Sequence, residues 1–140
     1  MKEKFIKKLK LNSNINKFVF AKTLFSLSKN PTEKFLDLVA NVLMNRFVYE
    51  AEISDEIPNI VALLTSFECW NDSKSMDKID IYNLCFKKCL IIASKVLVGE
   101  LNENFSSILY FQKNVKKNLL TNNIAPRFVE NGFSFFDVYV

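Results

Sequence analysis

Between Phe35 and Phe47 the apolar side chains recur every three or four residues. Leu36, Val39, Leu43 and Phe47 line one side, and Phe35, Leu38 and Val42 lie beside them. That spacing is the period of an α-helix, and a stripe this wide needs cover on several sides, so the segment reads as a central helix running to about Tyr49. Its start is written as Asn30-Pro31-Thr32-Glu33, with Asn30 as N-cap, Pro31 in the first turn and Glu33 as capping-box partner. A preceding helix over 18–27 is predicted from apolar residues at 18, 20, 21, 24, 25 and 27. Pro58 opens a shorter helix through Leu64, and the polar run 71–78 reads as a loop. A further long helix is expected over 79–98, with Gly99 as its C-terminal stop. Segments 105–111 and 133–140 are short, aromatic and rich in strand formers, so they read as two strands of a small sheet. The fold class expected is α+β, predominantly α-helical, with a small C-terminal β-sheet.

A hydrophobic fraction of 49% over 140 residues is enough for one domain with a real core. Residues 17–140 are taken as that domain. Residues 1–16 are read as a basic, partly flexible arm, since six lysines lie within the first 17 residues, opposed only by Glu3. An anionic polymer such as a cell-wall or membrane surface suits that charge. The basic residues are 17 Lys and 2 Arg, a balance poor for bidentate recognition of bases and phosphates, so no nucleic-acid partner is expected.

Several chemistries are excluded by what the chain lacks. No histidine is present, which removes Ser-His and Cys-His catalysis and imidazole metal sites. Only two glycines occur, Gly99 and Gly132, so no phosphate-cradling glycine loop can be built. Cys69, Cys85 and Cys89 form no C-x-x-C and read as reduced thiols. No cofactor and no metal are expected. No apolar signal region follows the first lysines, and no segment is long enough to span a bilayer. A chain cytoplasmic as synthesised, and released to the wall by lysis or as part of a particle, is the expectation.

Five blocks resemble one family in order and spacing from about residue 18 to 136. AKTLF (21–25) with VANVLMNR (39–46) is similar to the opening of the cell wall hydrolase family of spore-cortex-lytic type. That family reads "A-R-T-(I/L)-Y-G-E-A" and "V-A-x-V-(V/I)-L-N-R". SFECWN (66–71) resembles its "Q-F-S-C-W-N", and CLIIASKVLVG (89–99) its "C-L-x-I-A-x-x-V-L-x-G". ILYFQ (108–112) and GFSFF (132–136) are similar to "A-L-Y-F-H" and "G-x-H-x-F". The resemblance implies a compact lysozyme-like fold that cleaves the glycan strand of peptidoglycan, by hydrolysis or lytic transglycosylation. It also implies a glutamate in the turn between the first two helices of that pattern. Such a glutamate protonates the glycosidic oxygen.

This chain departs from the pattern at that glutamate. The position is Leu27, the preceding glycine is Ser26, and the family's later histidines fall on Gln112 and Ser134. Loss of a general acid costs roughly 10²–10⁴-fold or more in rate. An inactive relative acting as a glycan-binding or structural module is therefore favoured. Glu68, beside Phe67 and Trp70, is the candidate for a relocated acid, although an exposed loop glutamate is its plainer reading. Ser66, Trp70, Asn71, Tyr110, Gln112 and Ser134 are the substrate-binding candidates that the resemblance and the aromatic character suggest. The partners expected are peptidoglycan glycan strands or a cell-wall or particle protein. An active hydrolase using Glu68, or a protein-interaction component of a phage-like particle, are the alternatives.

Overall fold

The computed structural model describes residues 2–114 and 124–138. Six helices come first: α1 (Lys2–Leu9), α2 (Asn14–Ser26), α3 (Glu33–Ser54), α4 (Ile60–Thr65), α5 (Ser73–Asp77) and α6 (Leu84–Val96). A sheet of β1 (Tyr110–Lys113), β2 (Phe128–Glu130) and β3 (Phe133–Phe136) follows. The chain is thus α+β and mainly helical, with its small sheet at the C-terminal end.

Helix α3 is the central element that its apolar stripe predicts. Every residue from Leu38 to Asn45 is buried, as are Phe35, Leu36, Phe47 and Val48. Thr32 caps it: its Oγ1 accepts from the Phe35 N–H at 3.1 Å. Asn30, the cap expected from sequence, instead has φ of 49°, outside the extended backbone a cap requires. The helix also runs five residues beyond Tyr49 and ends at Asp55, in the left-handed conformation.

Other boundaries shift for similar reasons. Asn83 Oδ1 accepts from the Cys85 and Phe86 N–H groups, so α6 starts at Leu84 and not near Ile79. Asn59 caps α4 through the Val61 and Ala62 N–H groups. Asp72 caps the short α5 within the run expected to be a loop, accepting from the Ser75 N–H. The aromatic segment 105–111 contributes a strand only from Tyr110, because Glu103–Phe105 closes a 3₁₀ turn.

The basic arm is corrected most. Residues 2–9 form a helix, and Ile6 is fully buried in the core. Lys4, Lys7 and Lys8 occupy its outer side and conceal the inward Ile6, with Leu9 packed beside the core, from a reading based on charge. Lys2 joins the fold as well, its Nζ donating to Asn45 Oδ1 at 3.0 Å and to the Ser106 carbonyl at 2.6 Å. Burial lowers the Lys2 ammonium pKa from its ordinary value.

Gly99 is required twice. Its N–H donates to the Val96 carbonyl and the Glu100 N–H to the Lys95 carbonyl, both at 3.0 Å, the paired bonds of a Schellman closure. Its φ is +88°, and a Cβ there would stand 2.9 Å from the Glu3 carbonyl oxygen of α1. Gly99→Ala is expected to cost about 1–2 kcal/mol for the left-handed backbone. Overpacking against α1 adds about 1–3 kcal/mol. A thermal melt checks this; a midpoint within a degree or two of the parent's would remove the α1 contact from the account.

The sheet order is β1-β3-β2, antiparallel throughout. Asn131 (φ 56°) and Gly132 (φ 79°) make the two-residue turn between β2 and β3, the two positive φ values that a type I′ hairpin demands. Phe133 and Phe135 face α3, with ring centroids 5.0 and 6.1 Å from Phe35. Phe111 joins them, 5.7 Å from Phe135. Arg127 and Asp137 clasp the hairpin's open end, Nε to Oδ2 at 2.7 Å. The hydrogen bond from Arg127 holds the Asp137 carboxyl below its usual range. Among the described residues no helix is long and apolar enough to cross a membrane.

Candidate functional site

The turn 27–32 between α2 and α3 forms one wall of an open groove of about 1570 Å³. Leu27 terminates α2 in ordinary helical backbone (φ −74°, ψ −28°), half-buried, with its side chain against the core. Residues of α6 and the turn before it (Asn83, Leu84, Cys85, Lys87, Lys88 and Ile91) line it as well, together with Asn131 of the β2–β3 turn, Phe133 and Lys113 of β1.

Asn131 locks two of these walls together. Its Nδ2 donates to Ser28 Oγ at 2.7 Å, and its Oδ1 accepts from the Thr32 N–H at 3.0 Å. Thr32 Oγ1 also donates to Glu130 Oε1 at 2.9 Å. The capping residue of α3 is therefore held by the hairpin, which fixes the turn relative to the sheet.

The groove is basic. Lys29, Lys87, Lys88 and Lys113 line it, and Glu33 is the single carboxylate among its described lining residues. Lys88 Nζ lies 3.0 Å from Glu33 Oε1, and both side chains are more than half exposed, so the pair contributes little to stability. Cys85 also borders the groove, with Cys89 buried one turn further along α6. Burial, with Cys85 beside it, pushes the Cys89 thiol up to about 12. At neutral pH it is a neutral, packed thiol and not a nucleophile. Among the described residues no group of three or more Cys, Asp and Glu side chains could hold a metal ion.

The residues singled out in the sequence are dispersed. Glu68 lies exposed on the 3₁₀ turn Glu68–Asn71 and, with Asn71, lines a separate depression of about 480 Å³. Ser26 borders both hollows. The Trp70 indole N–H donates to Thr23 Oγ1 at 2.9 Å, and Thr23, fully buried, donates onward to the Val19 carbonyl. That indole edge is committed to anchoring the turn on α2. Ser66 closes α4 by donating to the Leu63 carbonyl. Gln112 and Ser134 are register partners across β1 and β3, and Tyr110 donates to Gln112 Oε1 at 3.1 Å. Ser134 donates to Asn114 Oδ1. None of Ser66, Trp70, Tyr110, Gln112 and Ser134 lines the groove beside Leu27.

The groove's lysines and Asn131 were not candidates from sequence. Lys87-Lys88 reads as a solvated helix face until the fold brings it to the same groove as the turn 27–32. Asn131-Gly132 did carry a signal, that of a two-residue hairpin, although not one pointing to a site. Compared with known proteins, the chain matches no family model, no curated protein and no solved structure.

Proposed function

We propose that this chain is a non-catalytic relative of the cell wall hydrolases, and that it holds peptidoglycan strands along the wall formed by its 27–32 turn and hairpin. The observation that carries the reading is the state of the groove's acid. Leu27 occupies the turn where the resembling family has its proton donor. The one described carboxylate in the groove, Glu33, is exposed and paired with Lys88. A glycosidic general acid needs a carboxyl held in a semi-buried, apolar setting above the scissile bond. Glu33 has no such enclosure, and Glu68 opens onto the neighbouring depression. Lys29 and Lys113 instead suit the carboxylates carried by peptidoglycan stem peptides.

The test has two readouts. Sedimentation with insoluble peptidoglycan is expected to retain the chain. Lys29→Glu combined with Lys113→Glu is expected to weaken retention roughly fivefold, from the loss of exposed charge pairs. Mass spectrometry of the supernatant is expected to show no muropeptides. Anhydro or reducing-end fragments would overturn the non-catalytic reading. Their loss in Glu68→Gln would then assign the acid. Unchanged retention in the lysine double variant would remove the groove from the proposal.

A further inference from the structure

A hollow of about 570 Å³ lies between α3 and α6, beside the main groove, and its size is that of a small-molecule site. Ile92, Val96 and Phe105 give it an apolar lining. Three carboxylates (Glu33, Asp37, Glu100) and three ammonium groups (Lys34, Lys88, Lys95) border it, so its charges balance. Their pairing is uneven. Glu33 and Lys88 satisfy each other at 3.0 Å. Lys34 Nζ stands over the Phe128 ring, 5.2 Å from its centroid. Asp37, Lys95 and Glu100 have no ion pair among the described residues.

Asp37 is held in place. Its Oδ1 accepts from Asn41 Nδ2 at 3.1 Å and its Oδ2 from Asn102 Nδ2 at 3.5 Å. Asn41, buried, also accepts from the Asn102 N–H at 2.8 Å. Two neutral amides thus orient the carboxylate without cancelling its charge, and a carboxylate has lone pairs left for a further donor. Lys95 and Glu100 belong to the closure of α6, where the Glu100 N–H donates to the Lys95 carbonyl at 3.0 Å. One positive and one negative side chain therefore leave the same turn and border the same hollow.

We infer that this hollow binds a free aliphatic diamino acid of the lysine kind. The distal ammonium would meet Asp37, the carboxylate Lys95 and the α-ammonium Glu100, with the methylene chain over Ile92 and Val96. Two unpaired carboxylates and one unpaired ammonium are the complement of a ligand with two ammonium groups and one carboxylate. A polyanion would meet Asp37 and Glu100 with like charge, and a plain diamine would leave Lys95 without a partner. Complementarity of this kind selects the ligand more than it tightens binding. The inference stands apart from the glycan reading: the hollow shares Glu33, Lys88 and Ile91 with the groove, but none of the three charges it uses lines that groove.

The experiment titrates the isotope-labelled full chain with L-lysine and follows the amide resonances. Saturable shifts at Asp37, Lys95 and Asn102 are expected, with millimolar affinity for so small a ligand. Three analogues each delete one charge: norleucine the distal ammonium, cadaverine the carboxylate, Nα-acetyl-lysine the α-ammonium. Each is expected to bind about three- to fivefold more weakly than lysine, the worth of an exposed charge pair. Asp37→Asn should weaken lysine about tenfold, as loss of a charged hydrogen bond does, and leave norleucine unchanged. Lys95→Gln and Glu100→Gln, exposed and outside the Asp37 hydrogen-bond set, give the same comparison with cadaverine and Nα-acetyl-lysine in variants whose thermal melts match the parent's. Absence of saturable shifts, norleucine binding as tightly as lysine, or unchanged lysine affinity in both glutamine variants would overturn the proposal.

Discussion

Asn45→Ala is expected to destabilise the fold by about 3–5 kcal/mol, a large share of what a chain of this size holds in reserve. Asn45 is only 2% exposed, and it sits in the middle of α3 between Met44 and Arg46. Its Nδ2 donates to the Phe105 carbonyl at 2.8 Å and to the Ile108 carbonyl at 3.0 Å, while its Oδ1 accepts from Lys2. One side chain thus ties α3 to the segment entering β1 and to α1. Truncation takes that donor from the buried Ile108 carbonyl, worth about 1–3 kcal/mol, leaves the Phe105 carbonyl with the Ile108 N–H alone, and opens a small cavity as well. Lys2→Met, which leaves both carbonyl bonds intact, is expected to cost about 1 kcal/mol. Urea denaturation of the two variants separates these effects. A cost for Asn45→Ala no larger than for Lys2→Met would show that the carbonyl bonds do not hold the sheet in place.

Phe35→Ala is expected to cost about 3–5 kcal/mol, the range for removing a buried aromatic ring. Phe35 is 1% exposed, and its ring meets Phe133 and Phe135 of β3. It is also the residue whose N–H the Thr32 cap receives. The ring supplies the contact by which the sheet sits on the first turn of α3, so the loss should fall unevenly. Amide exchange in β3 should accelerate more than exchange in the α2–α6 pair, because local opening follows local packing. Uniform acceleration would mean that the sheet and the helices open as one unit. Phe35→Leu, keeping most of the volume, is expected to cost less than half as much.

The helices were legible wherever one face alternates with solvent or is apolar over several turns, as in α2 and α3. Their ends were less so. Asn30 and Thr32 are both good caps on chemical grounds, and only the backbone angle at Asn30 decides between them. At α6 the apolar run extends upstream of Asn83, and a side-chain hydrogen bond, invisible to periodicity, sets the start. The first helix was missed because its one fully buried residue, Ile6, is surrounded by lysines. Strand β2, three residues long, carries too few positions to show alternation. The candidate site was legible as one point, Leu27. Its other walls come from residues some 60 to 100 positions later in the chain, and no local pattern states that Lys113 and Asn131 will face that turn.

The Asn131 bridge couples events far apart along the chain. Its partners Ser28 and Thr32 are 103 and 99 residues away, so the groove wall is complete only once the hairpin has docked, among the slowest kinds of contact for a chain to close. The same bridge works in reverse. Any ligand that grips both the 27–32 turn and Lys113 binds the docked arrangement and not the open one. It therefore adds its own binding free energy to the hairpin's attachment. Occupancy of the groove and persistence of the C-terminal sheet become two readings of one equilibrium.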